Sequence, residues 1–149
     1  MTVKDELLKL RTPLTAVTTT EAGWTTLARH TTGQIVVQID KCPMGGIPIE
    51  VVAAADSGNG TTGTHIVTIE ASDELASEWI VVATFPTLIQ TAAANKLAFR
   101  FVRRVATQLK YLRSVITRVA GDGTMSRNYT ISVGVGLIDD DAGFTGSGT

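Results

Sequence analysis

A single cysteine, Cys42, stands in 149 residues, so no intrachain disulfide can staple the fold. Stability has to come from packing or from assembly. Histidines are also scarce. His30 and His65 are the only two, and zinc needs a closer set of ligands than these two and Cys42 provide. No segment approaches the length of a membrane span, and the start Met1-Thr2-Val3-Lys4-Asp5-Glu6-Leu7-Leu8 lacks the apolar core of a signal peptide. Lys4-Asp5-Glu6-Leu7 lies at the wrong end to act as a retention signal. Synthesis in the cytoplasm is therefore expected. Net charge is also lacking: −1, with a pI near 6.1, gives no drive toward nucleic acid or an anionic membrane.

What is present is a folded, one-domain composition, 44% apolar and 18% charged. Its dominant period is two. Residues 65–72 place Val67, Ile69 and Ala71 on one face and Thr68, Glu70 and Ser72 on the other. Residues 96–103 turn Leu97, Phe99 and Phe101 inward, with Lys96 and Arg100 outward. Residues 129–137 set Tyr129, Ile131, Val133, Val135 and Leu137 against Thr130, Ser132, Gly134 and Gly136. Side chains of a strand alternate faces, so these are strands with one buried face. Residues 34–40, 49–54, 79–85 and 111–119 read the same way, and 14–18 and 24–28 more weakly. Glycine-rich turns separate them, and about eight strands in such a series predict a sandwich or barrel. Val67, Ile69, Phe99, Phe101, Ile131 and Val133 are the expected core. Helical signals are confined to residues 2–10 and the alanine-rich 88–96.

The chemistry-bearing motifs dissolve on inspection. Gly58-Asn59-Gly60-Thr61-Thr62-Gly63 fits the spacing of a dinucleotide-binding loop, but a strand pattern follows it where the mechanism needs a helix. It reads as a flexible hairpin loop. Asp56 opens a stretch with the flavour of a calcium loop, yet its twelfth position is Val67 where a bidentate Glu is required. Cys42 sits before Pro43 with no nucleophile signature around it. The expectation is a protein with no catalytic residues, metal, cofactor or small-molecule substrate.

Charge is divided along the chain. From Trp79 to Gly121 there is no Asp or Glu, while Lys96, Arg100, Arg103, Arg104, Lys110, Arg113 and Arg118 lie there. From Asp40 to Glu78 the acidic residues dominate, with Lys41 the lone base. Such halves make either complementary assembly surfaces or ordinary pairs between neighbouring strands. Nucleic-acid binding fits less well, because aromatics do not interleave with the basic residues.

Leu109-Lys110-Tyr111-Leu112-Arg113-Ser114-Val115-Ile116-Thr117, running through Gly121-Asp122-Gly123-Thr124 into Tyr129-Thr130-Ile131-Ser132-Val133-Gly134-Val135, resembles the C-terminal hairpin of the jelly-roll cement proteins of tailed phages, such as the Bordetella phage type. Residues 65–73 and 79–85 resemble two earlier strands of that family, so the likeness spans roughly residues 60–138. It implies an all-β, jelly-roll-like sandwich of about eight antiparallel strands. It also implies a homo-oligomer that decorates the outside of a capsid shell by binding the major capsid protein. The family has no catalytic residues to carry over. The expected organisation is an N-terminal arm over residues 1–12, a sandwich over 13–138 and an acidic, glycine-rich tail over 139–149. Leu7, Leu8 and Leu10 of the arm, Arg103 and Arg104 of the basic half, and Phe144 of the tail are the expected interaction residues. The competing reading is a carbohydrate-binding sandwich, for which Trp24 and Phe144 are the aromatics that look free of the core.

Overall fold

Period-two alternation needs two sheets whose apolar faces cover each other, and that is the architecture found. The computed structural model describes residues 9–39, 42, 45–89 and 97–134. Its strands are β1 (Lys9–Arg11), β2 (Val37–Gln38), β3 (Ile47–Ala53), β4 (Thr64–Ser72), β5 (Ile80–Thr84), β6 (Leu88–Ile89), β7 (Phe99–Val105), β8 (Tyr111–Val119) and β9 (Tyr129–Val133). One sheet has the order β1-β9-β3-β7 and the other β2-β8-β4-β5, with the two-residue β6 also paired to β4. All pairings are antiparallel. With β6 set aside, first pairs with last, second with seventh, third with sixth and fourth with fifth. A ribbon of pairs rolled over itself in this way is a jelly-roll-like sandwich. No helix occurs among the described residues.

Register puts the apolar residues opposite one another. Val67, Ile69 and Ala71 of β4 face Ile116, Ser114 and Leu112 of β8. Ile49, Val51 and Ala53 of β3 face Val133, Ile131 and Tyr129 of β9. These side chains are buried, and with Leu10, Val17, Ile47 and Met125 they form one core. Val67, Ile69, Ile131 and Val133 are thus where the alternation places them. Phe99 and Phe101 are corrected: they point inward opposite Ala53 and Val51, but they are only half-buried. Among the described residues β7 ends its sheet, so no further strand of it flanks these rings on one side.

The strand boundaries differ in instructive places. Residues 14–18 and 24–28 form no strand. They belong to a long segment, 12–36, that runs down one side of the sandwich through isolated bridges Arg11–Gln34, Val17–Arg127 and Glu21–Ile116. The strand expected over 34–40 shortens to β2, and the helical turn expected from 88 opens as β6. At the N-terminus, β1 lies inside the stretch 1–12 expected to be an arm, so the sandwich begins no later than Lys9.

The Gly58–Gly63 loop is neither a hairpin nor loose. It crosses from β3 in one sheet to β4 in the other. The 121–126 loop holds it: Asn59 Oδ1 accepts from Thr124 N at 3.0 Å, Asp122 Oδ1 from Thr62 N at 3.1 Å, and Asp56 Oδ1 from Ser126 N at 2.8 Å. Hydrogen bonds led by that from the Thr61 hydroxyl hold the Asp122 carboxyl down at about 2. Glycine is required here by close approach, since a Cβ on Gly58 would lie 2.1 Å from the Thr124 carbonyl oxygen.

Candidate functional site

The two long sides of the sandwich are finished differently. On the β1/β2 side, segment 12–36 adds backbone pairing to both sheets. Ile35 N donates to Leu10 O at 3.0 Å, and Glu21 N donates to Ile116 O at 2.8 Å. Arg11 locks this side. Its side chain is fully buried, and it binds both Glu21 carboxylate oxygens, at 2.8 and 2.9 Å, as well as the Thr15 and Tyr129 carbonyls, at 2.8 and 3.0 Å. A buried guanidinium is tolerable only when paired and hydrogen-bonded in this way.

On the opposite side β5 ends one sheet and β7 ends the other. The β5 edge, Ile80-Val81-Val82-Ala83-Thr84, carries no charge. Ile80 and Val81 are 55% and 57% exposed. Val102 of β7 is exposed as well, and the stacked rings of Phe99 and Phe101 are half-buried between the edges, with centroids 6.1 Å apart. The basic residues gather here. Arg103 donates across the opening to the Thr84 carbonyl, and Arg104 reaches the Gly46 carbonyl at 3.4 Å. Both are exposed residues of β7.

The residues expected to make contacts therefore separate. Arg103 and Arg104 stand on the open side. Leu10 does not project outward: it is the middle residue of β1, fully buried and part of the chain's own core, because β1 is paired with β9 on one flank and Leu10 O accepts from Ile35 N on the other. Leu7, Leu8 and Phe144 lie outside the described residues. The division of charge along the sequence is met in part by pairs between strands. Glu70 faces Arg113 and binds it at 2.7 Å, with the Trp79 ring 4.2 Å from the guanidinium, and Glu50 pairs with Arg100.

No arrangement of general base and nucleophile stands out among the described residues. Cys42 Sγ points to the Val105 carbonyl at 3.9 Å, whereas His65 is engaged elsewhere. His65 Nδ1 lies 2.6 Å from the Tyr129 hydroxyl, inside the core, and its Nε2 is buried with no hydrogen-bond partner. Burial, reinforced by the Arg127 and Arg118 charges, lowers the His65 pKa to about 4, with Asp56 opposing. Burial also pushes the Tyr129 hydroxyl up, so the bond joins a neutral imidazole and a neutral phenol. No three of His, Cys, Asp and Glu cluster to hold a metal among the described residues.

No protein-family model matches the chain, and neither a curated protein nor a solved structure matches it. The reading of its surfaces rests on their own chemistry.

A second feature, on the β1/β2 side, escaped the sequence reading apart from Trp24. A groove of about 550 Å³ is bordered by residues 15–25 together with His30, Thr32 and Gln34. The Trp24 and His30 rings meet at its wall with centroids 4.0 Å apart and planes at 44°.

Proposed function

We propose that this protein is a capsid decoration protein that binds the outer surface of a phage shell, as a homo-oligomer, through the β5/β7 side of its sandwich. The observation that carries the reading is the open side itself. An uncharged edge strand with exposed Ile80 and Val81 is a template for unwanted pairing unless a partner covers it. The opposite side shows how this chain seals an edge when it is to stay closed, and β5 has no such cover among the described residues. Arg103 and Arg104 beside it supply charge for orientation, which sets register more than raw affinity.

The jelly-roll-like strand order agrees with the fold that the likeness of residues 60–138 to phage cement proteins implies. The role asks little of each contact. A shell repeats one site many times, so modest edges add up across an oligomer. It asks for no catalytic group, cofactor, nucleic-acid surface or membrane anchor. The partner is the major capsid protein, and the location is the virion exterior.

The test is co-sedimentation of the full chain with shells of its source virus stripped of this protein. Wild type should pellet with shells in saturable fashion, and Ile80→Lys should remain in the supernatant while folded. Failure of the wild type to bind overturns the reading.

A further inference from the structure

From the threonine-rich groove on the β1/β2 side we infer that the protein also has a binding site for a neutral saccharide, with Trp24 and His30 as its aromatic wall. The first argument is what lines the groove. Six threonines contribute, while lysine and arginine contribute none. Its only charged residue is Glu21, whose two carboxylate oxygens are already taken by Arg11. No cation is left to hold a phosphate, sulfate or carboxylate. The hydroxyls of Thr15, Thr20 and Thr32 bond within the chain, while Thr18, Thr19 and Thr25 are exposed. A hydroxyl both donates and accepts, so these three suit a ligand that is itself a set of hydroxyls.

The second argument is preorganisation. The Trp24 indole is fixed by its Nε1 donating to Ala28 O at 2.8 Å. His30 is set by Thr32, whose hydroxyl lies 2.8 Å from Nδ1 and 3.0 Å from Gln34 Oε1. Gln34 in turn donates to Ala22 O at 2.7 Å. The ring corner is thus held before any ligand arrives, which lowers the ordering cost of binding. Half-buried Trp24 offers an apolar surface for the C–H face of a pyranose, and the threonines offer partners for its rim. The volume, about 550 Å³, falls within the roughly 300–1,000 Å³ of small-ligand sites.

The groove is distinct from the β5/β7 side, so saccharide binding and shell binding are separable. The experiment titrates the full chain with glucose, galactose, mannose, N-acetylglucosamine and their di- and trisaccharides, at millimolar concentrations. The signal of the Trp24 indole N–H is followed by NMR, with Trp79→Phe used to assign it. At least one saccharide should shift that signal saturably. Trp24→Ala, which lacks that reporter and is titrated by isothermal calorimetry instead, should weaken binding at least about ten-fold. Thr19→Val keeps the side-chain shape and removes one hydroxyl. It should weaken binding about three-fold or more, and it carries the test if Trp24→Ala fails to fold. Both variants should bind shells as wild type does. Absence of any shift across the series, or saccharide binding unchanged in Thr19→Val and Trp24→Ala, overturns the inference.

Discussion

The β1/β2 side and the β5/β7 side of this sandwich border the same core, yet one is closed by polar chemistry and the other is left apolar and open. On the closed side a 25-residue segment, 12–36, carries few strand signals and still extends both sheets. It is held by a buried guanidinium and by carbonyls that would otherwise be orphaned. On the open side strong strand sequences end with edges that no other strand pairs among the described residues. Strand propensity therefore does not decide where a sheet is finished. Hydrogen-bond satisfaction does, and the side where it is left incomplete is the side free for a partner.

The largest effect should come from unlocking the closed side. Arg11→Ala strips Glu21 and the Thr15 and Tyr129 carbonyls of their partner, and breaking such a pair from one end costs about 3–5 kcal/mol. Chemical denaturation should show a loss of that size. A loss under about 1 kcal/mol would mean that segment 12–36 is not integral to the fold.

Acid comes next. His65 has its pKa lowered from 6.5 to about 4 by burial. The unfolded chain therefore takes up the proton first as pH falls. The contribution of neutral His65 is complete above about pH 6.5 and is lost progressively down to about pH 4, on the order of 2–3 kcal/mol. Denaturation midpoints measured across that window should fall with pH, and His65→Gln should flatten the slope.

Phe101→Ala should cost about 2 kcal/mol, below the 3–5 kcal/mol of a fully enclosed ring, because β7 is an edge. A value at the upper end would show that the opening is covered in solution.

Much of the core and most of the strands were legible in the sequence because alternation is a local signal, whereas the order in which the strands pair was not read from it. β4 and β8 follow it residue by residue, and β8 has the expected ends, Tyr111 and Val119. What was not legible depends on residues far apart in the chain. Arg11 and Arg127 look like surface residues by type, and only the folded chain shows that both are fully buried, with partners that include Tyr129, 118 positions from Arg11, and Ala54, 73 positions from Arg127. Leu10 read as the end of an arm because a three-residue strand is too short to show a period. The groove was represented by Trp24 alone, since its threonines carry no spacing signal until segment 12–36 folds back.

The smallest effect on stability is expected on the open side, where Ile80→Lys and Val102→Glu alter solvent-facing positions and should each change stability by less than about 0.5 kcal/mol. That contrast with Arg11→Ala separates a face kept for assembly from one kept for folding.

The proposed decoration role is tested most directly by electron cryo-microscopy of phage shells that lack this protein, incubated with wild type or with the folded Ile80→Lys variant. Wild type should restore ordered density on the outer surface, with the β5/β7 side against the shell or a neighbouring copy, and Ile80→Lys should leave the shells bare. Bare shells with wild type, or equal decoration by both proteins, would contradict the account.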